Sequence, residues 1–306
     1  MNLISAIKNF QENDFSFIIT GSNGWFGKYI LEVLHKNLQS DFNKRVIAFS
    51  SSSFIIELSN KIKVNCVDYN QSLDPHKKYV LLHFAFLTQD KLSTNSLDIF
   101  KAKNLEIRNN ITNIINKNNV VKMLYTSSGA VYNQNNLYGA LKKEDEDYFS
   151  EIMAKKSAEI IIPRIFNVAG KYINKESLYV LSDFINQAKT NQAIKINSES
   201  PTYRTFTHIT NIFEICFSWL LDNEKVEKKL VFDVSNPNYL ELTELANKIF
   251  SFLQKEPTII RNLNPQAIKN FYVGDSSILS KLIVKYKIDF YDYDKMIEDT
   301  YKFLFK

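Results

Sequence analysis

Residues 16–38 read SFIITGSNGWFGKYILEVLHKNL. Ser16 to Thr20 is a short run rich in Ile and Phe, the pattern of a buried strand. Phe26, Ile30, Val33 and Leu34 then recur at helical spacing, which predicts a helix over Trp25 to Leu38. Between them Gly21, Gly24 and Gly27 make G-x-x-G-x-x-G. At a strand-turn-helix junction such glycines let backbone amides approach a pyrophosphate where a side chain would block it. The helix N-terminus adds partial positive charge. A phosphate-binding P-loop would need a glycine where Ser22 stands and a Ser or Thr where Tyr29 stands. The spacing favours a dinucleotide turn over that loop and over an ordinary βα connection.

The same alternation continues outward from this stretch. Val46 to Phe49, Val64 to Val67 (ending at Asp68), Val80 to Ala85 and Lys122 to Thr126 read as strands. Asn104 to Lys117 reads as a helix with Ile107, Ile111, Ile114 and Ile115 on one face. Strands alternating with helices imply right-handed βαβ units and a parallel sheet covered on both faces. The expected fold class is therefore α/β, a Rossmann-type doubly wound parallel sheet with a smaller C-terminal substrate-binding region. From Pro163 onward the pattern is less regular. Ile161 to Phe166 and Val231 to Val234 read as strands; Leu178 to Thr190, Ile209 to Leu221, Leu242 to Phe252 and Tyr293 to Phe305 read as helices. We expect a cofactor-binding domain over residues 1–166. Residues 167–306 are expected to bind mainly substrate, with some segments returning to the first part.

Composition narrows the class. The chain has 306 residues, 45% hydrophobic and 23% charged, with a formal net charge of +5, which suits a globular protein with an ample core. Its two cysteines, Cys66 and Cys216, exclude a disulfide framework and a cysteine-rich zinc site, and suit buried thiols in a reducing cytosol. Charges are scattered, without the concentrated basic face of a nucleic-acid protein. The runs Lys142 to Asp147 and Lys225 to Lys229 read as solvated helix faces. Met1 to Asp14 is polar, unlike a signal peptide, and no stretch is long and apolar enough to span a membrane. A cytoplasmic location follows as an expectation. No His, Cys and Asp cluster suggests a metal. His208, alone, reads as structural.

Two further motifs bear on chemistry. Phe49 is followed by Ser50, Ser51, Ser52 and Ser53 at the end of the second strand, where an acid would favour NAD by bonding the ribose 2′-hydroxyl. Small hydroxyls leave room for a 2′-phosphate, so the cofactor is expected to be NADP or NAD, with a lean to NADP. No Arg stands in the serine run itself to hold that phosphate. Further on, Tyr125-Thr126-Ser127-Ser128-Gly129-Ala130-Val131-Tyr132 leads to Tyr138-Gly139-Ala140-Leu141-Lys142. Tyr and Lys four apart share a helix face. An ammonium beside a phenol favours the phenolate, which can then exchange a proton with a substrate hydroxyl or carbonyl. A serine hydroxyl at the neighbouring strand end can hold the same oxygen.

These residues resemble the extended short-chain dehydrogenase/reductase family, the NAD(P)-dependent nucleotide-sugar epimerases, dehydratases and reductases, over nearly the whole chain. The resemblance implies that Ser128, Tyr138 and Lys142 are catalytic. It implies cofactor contacts from Gly21, Asn23, Gly24, Trp25, Phe26, Gly27, Ser50, Ser51, Asp68, Phe84, Ala85, Asn104 and Ile165, besides Tyr138 and Lys142. It implies substrate contacts from Leu87, Ser128, Asn167 and Arg204. Pro163 to Gly170 resembles the family's R-x-F-N-x-x-G segment. Tyr203 to His208 resembles its R-D-F segment, whose arginine grips a nucleotide pyrophosphate. The acid after that arginine is Thr205 here, and the later acids are Thr210 and Asn211. The Ser128–Tyr138 interval is short. Gly129 and Ala130 stand where 4,6-dehydratases carry Asp-Glu, which argues against water elimination.

The expected function is a nucleotide-sugar oxidoreductase, first a 4-keto-sugar reductase in surface-polysaccharide sugar biosynthesis. An NAD-dependent 4-epimerase is the alternative, and a non-catalytic NADP-binding protein a second one. The expected partner is a nucleotide-sugar substrate, with neither nucleic acid nor membrane. The resemblance also implies a homodimer, for which Asn104 to Lys117 is the candidate helix.

Overall fold

The computed structural model describes residues 1–59, 61–93, 96–133 and 135–306. It opens with a helix where the sequence predicts only a polar start. In α1 (Leu3–Glu12), Leu3, Ala6, Ile7 and Phe10 turn inward at helical spacing. The Asn2 side chain caps it, accepting from the Ser5 amide at 2.9 Å.

The glycine turn then joins β1 (Phe15–Thr20) to α2 (Trp25–Leu38). There follow β2 (Val46–Ser50), β3 (Phe54–Glu57), β4 (Lys63–Asp68), β5 (Lys78–His83), α3 (Leu97–Lys117), β6 (Val120–Tyr125), α4 (Leu137–Lys155), β7 (Glu159–Ile165) and β8 (Lys229–Val234). The sheet runs β8-β7-β6-β5-β1-β2-β4-β3, with the two-residue strand Ser127–Ser128 paired to β7. Every pair from β4 through β7 is parallel. Only β3 is shown to run antiparallel, along the outer edge of β4.

Two elements differ from the sequence reading. β3 follows the serine run, in a stretch to which the sequence reading assigned no element. It buries only Ile56 of its four residues, so it shows no inward-outward alternation to read. α3 starts at Leu97, not Asn104, with Ser96 accepting from the Ile99 amide at 3.3 Å. Its first residues, Leu97 and Ile99, are exposed, so the apolar stripe begins a turn later than the helix.

Strand order reverses between β1 and β5. From β1 the chain builds outward through β2 and β4, then returns to the other side through β5, β6 and β7. Open α/β sheets bind ligands outside the carboxyl ends of their strands at this switch point. Register fixes the edge: Thr20 is level with Phe49 and His83, His83 with Tyr125, and Ser50 with Asp68. A core of Ile18, Phe49, Tyr79 and Leu81 from the strands, Ile111, Ile114 and Ile115 from α3, and Phe149 and Met153 from α4 holds that edge rigid. Each such side chain contributes about 1.5–3 kcal/mol by leaving water.

The chain divides into two compact units. One comprises Met1–Arg164 and Glu214–Phe232; the other comprises Ile165–Phe213 and Asp233–Lys306. The second has its own core, in which helices Val180–Lys189, Leu242–Phe252 and Tyr293–Leu304 pack Phe184, Ile185, Leu245, Ile249, Met296 and Ile297 together. It also carries a three-stranded sheet in which Thr202–Arg204 lies between Leu240–Glu241 and Asn270–Tyr272. Both cysteines are buried, and burial pushes the Cys66 thiol up to about 11. Among the described residues no helix is long and apolar enough to cross a membrane. Among them, too, no group of three His, Cys, Asp or Glu could hold a metal.

Candidate active site

The glycine turn is built so that side chains would not fit. Gly21 has φ +69°, and a Cβ there would stand 2.6 Å from the backbone of Phe84 and Ala85 at the end of β5. A Cβ on Gly27 would meet the Gly21 carbonyl oxygen at 2.4 Å. Gly24 precedes the first turn of α2, has no side chain to cap it, and donates its amide to the Gly21 carbonyl at 2.9 Å. Ser22 is buried beneath the turn, its Oγ 3.1 Å from the Ile19 carbonyl and 3.4 Å from that of Phe49. The result is a backbone cradle at the switch point with a helix N-terminus behind it, which fits a dinucleotide pyrophosphate.

Of the other expected cofactor residues, Ser50, Asp68, Phe84 and Ala85 lie at or just after strand ends, Trp25 and Phe26 in the first turn of α2, and Asn104 in α3. Trp25 is buried and Asn23 exposed; the Phe26 ring lies 5.7 Å from that of Phe84. Ser51 is exposed after β2. Ser50 bonds its own turn, with its Oγ 3.3 Å from the Ser52 amide and donating to the Ser52 carbonyl. Asp68 accepts from the Asn70 amide at 2.8 Å at the end of β4. Asn104 is buried; it accepts from the Leu87 amide at 2.9 Å and donates to the Phe100 carbonyl at 3.1 Å. It thus pins the loop that carries Phe84, Ala85 and Leu87. Ile165 closes β7.

Tyr138 and Lys142 lie on α4, one turn apart. Asn136 caps the helix by accepting from the Tyr138 amide at 2.9 Å. Gly139 brings α4 against the Ser128 turn, because a Cβ there would stand 2.1 Å from the Ala130 carbonyl oxygen. Ser128 is buried and its Oγ accepts from the Ala130 amide at 3.2 Å, which leaves the hydroxyl proton to donate. Tyr138 is half-buried, its ring edge-on to Phe86 at 5.6 Å. The Lys142 ammonium is buried, donates to the Thr126 carbonyl at 2.8 Å, and sits 4.1 Å from the Phe86 ring centre and 4.8 Å from that of Tyr125. Burial pulls its pKa down to about 8, while Asp145 and Glu146 act in the opposite direction.

Those two carboxylates correct the sequence reading of Lys142 to Asp147 as a solvated face. Only its outer members, such as Glu144 and Asp147, face water; Lys142, Asp145 and Glu146 are buried. Glu146 accepts from Ser127 Oγ at 2.6 Å and from Arg164 Nε and Nη2 at 2.9 and 2.7 Å. Arg164 in turn donates to the Tyr132 hydroxyl at 2.9 Å. Asp145 pairs with Arg108 and accepts from the Tyr125 hydroxyl at 3.4 Å. Burial raises its pKa and Arg108 lowers it. The signal for both was their place three and four residues after Lys142 on one helix. Their partners lie 37 and 18 residues away in sequence. The second charge run is likewise not all solvated: Lys225 pairs with Glu159 at 3.0 Å, its side chain 5% exposed.

His83 opens the stretch His83-Phe84-Ala85, which resembles the family's H-x-A strand end lining the cofactor. It is fully buried, shares a 2.7 Å hydrogen bond with Thr20 Oγ1 and stacks on Tyr125. Burial, then the charge of Lys142, holds its pKa well below the usual value, so it is neutral. In the second unit, Asn167 donates to the Thr205 carbonyl at 2.8 Å. Arg204 donates to the Tyr203 carbonyl at 2.8 Å and to Asn270 Oδ1 at 2.9 Å. His208 is buried, accepts from the Thr210 amide at 3.2 Å, and is held by burial at about 4.

The family model described as the NAD dependent epimerase/dehydratase family matches residues 17–235. No curated protein matches the chain. Among solved structures, a UDP-N-acetylglucosamine 4-epimerase from Methanobrevibacter ruminantium is 20% identical with a TM-score of 0.71, over 95% of this chain and 98% of that one. A UDP-glucuronic acid 4-epimerase from Bacillus cereus, in complex with NAD, is 14% identical with a TM-score of 0.71, over 94% and 98%. A Thermus thermophilus UDP-glucose 4-epimerase, also with NAD, is 14% identical with a TM-score of 0.69, over 94% and 98%. At these identities the likeness establishes a shared fold.

Proposed function

The chain belongs to the NAD dependent epimerase/dehydratase family, and we propose that within it the protein is an NAD-dependent nucleotide-sugar 4-epimerase. The observation that carries this reading is the buried ammonium of Lys142 on the helix of Tyr138, beside the Ser128 turn and the glycine cradle. Ser128, Tyr138 and Lys142 are the residues an epimerase of this fold needs, and the three similar solved structures are UDP-sugar 4-epimerases. They favour epimerase over the reductase that the sequence put first.

Bound NAD supplies a hydride acceptor and donor. Tyr138 takes the O4 proton as C4 of the sugar gives up its hydride, leaving a 4-keto sugar. It returns the proton when hydride re-enters from the other face. Lys142, charged below about pH 8, favours the Tyr138 phenolate. Ser128 donates its hydroxyl to the same oxygen. Arg204 holds the diphosphate. Because hydride leaves and returns, no net reductant is consumed. That fits NAD, and the serine turn after β2 has no basic residue for a 2′-phosphate, so we set aside the lean to NADP.

Turnover of UDP-, dTDP-, GDP- and CDP-linked sugars, followed by product configuration and by NAD(P)H absorbance, tests the reading. Isomer interconversion without net cofactor change is expected. Stoichiometric NADPH oxidation with a 4-keto sugar would make the protein a reductase. Tyr138→Phe should lower kcat by about 10²–10⁴-fold, the usual contribution of a positioned acid-base group. Unchanged turnover would remove Tyr138 from the chemistry.

A further inference from the structure

The chain has five arginines: Arg45, Arg108, Arg164, Arg204 and Arg261. Four are paired with carboxylates: Arg45 with Asp14, Arg108 with Asp145, Arg164 with Glu146 and Arg261 with Glu241. Arg204, among the described residues, has none. Its guanidinium donates to two neutral oxygens, the Tyr203 carbonyl and Asn270 Oδ1, and lies 6.0 Å from the centre of the Tyr272 ring. Burial lowers its pKa, with only Tyr272 acting against it. The contrast with Arg261 is local. Glu241, on the strand Leu240–Glu241 beside Thr202–Arg204, accepts from Arg261 at 2.8 Å and so neutralises it.

A half-buried cation left uncompensated is unfavourable unless an anion completes it. The strand pairing explains how the charge is held in place. Thr202–Arg204 runs parallel to Asn270–Tyr272, which sets Arg204 level with Tyr272 and Thr202 level with Asn270. The residues that follow Arg204 add no acid: Thr205 donates its hydroxyl to the Asn236 carbonyl at 3.1 Å. Asn at position 270 orients the guanidinium by hydrogen bonding and adds no charge. Asp would orient it equally well, with a stronger bond, and cancel it.

We propose that Asn270 is a positioning residue for the nucleoside diphosphate: its amide oxygen fixes the Arg204 guanidinium and, being neutral, leaves that charge for the diphosphate. This rests on the reading of Arg204 as the diphosphate contact.

UDP binding to the full chain, measured by calorimetry, tests it with three variants: Asn270→Asp, Asn270→Ala and Arg204→Ala. Asn270→Asp should weaken UDP by about tenfold or more, the scale of one lost charge-assisted contact. Asn270→Ala should weaken it less. In turnover, Asn270→Asp should raise KM for the nucleotide sugar and leave kcat within about twofold, as for lost uniform binding. A merely structural role predicts the reverse order, since Asp keeps the hydrogen bond and Ala does not. If Asn270→Asp binds UDP as the wild type does, or better than Asn270→Ala, the proposal is wrong. If Arg204→Ala weakens UDP while Asn270→Asp does not, only the role of Asn270 falls. If Arg204→Ala binds UDP normally, the diphosphate role of Arg204 falls, and that of Asn270 with it.

Discussion

Lys142 keeps a charge where burial opposes it. Its folded pKa, about 8, lies below the ordinary 10.5. Between these values the unfolded chain binds a proton that the folded one does not, so stability rises with pH across that window. Below about pH 8 the fold carries the full cost of the buried ammonium. Lys142→Met should therefore raise stability at pH 7, by roughly 2–3 kcal/mol on denaturant unfolding, while abolishing turnover. In the wild type, kcat should fall on the alkaline side near pH 8 as Lys142 loses its proton. Asp145→Asn should move that limb down by about one unit, having removed a carboxylate that favours the charged lysine. An unmoved limb would show that Asp145 does not support Lys142. The histidines act at the other end of the scale. His83 and His208 are held below 6.5 by burial, His208 to about 4. As pH falls below 6.5 the unfolded chain takes up protons that the folded one refuses, and stability is lost. Each histidine contributes up to about 1.4 kcal/mol per pH unit in its window. Unfolding midpoints from pH 7 to 4.5 should drop steeply, and His83→Gln should flatten the slope.

At the scale of elements, two glycines make separable predictions. A Cβ on Gly27 would collide with the Gly21 carbonyl and Ser22, backbone atoms that no rotamer can move aside. Gly27→Ala should weaken NAD binding by about tenfold or more, a cost of a kcal/mol or two typical of backbone strain. Gly139→Ala should separate α4 from the Ser128 turn instead, lowering kcat with NAD affinity kept within about threefold. Calorimetry with NAD and turnover on the same samples distinguishes them, and equal effects of both on NAD would contradict the division of roles. These junctions were legible in the sequence because glycine and its spacing encode a backbone requirement locally. The start of α2 was read at Trp25 for the same reason, since Gly24 precedes it. What was not legible depended on distant partners. α1 spreads four inward residues over ten positions, with a further apolar residue, Ile4, facing outward. Asp145 and Glu146 look like surface charges until Arg108 and Arg164 are brought to them. That Arg204 has no carboxylate partner among the described residues appears only once its neighbours are placed.

On the scale of the whole molecule, the alternation of strands and helices in the first 166 residues carried the fold, and the reversal at β1 and β5 placed the cradle. The direction of net chemistry was not in that pattern, because reductase and epimerase need the same serine, tyrosine and lysine. They differ in the fate of one hydrogen. The most direct measurement supplies the protein with a UDP-hexose deuterated at C4 and follows the label by NMR. The account predicts that the C4 epimer forms with the deuterium still on C4, since the hydride that leaves is the one that returns, and that reduced cofactor does not accumulate. Epimer that has lost its C4 deuterium to water, or stoichiometric consumption of NADPH without an epimer, would contradict it.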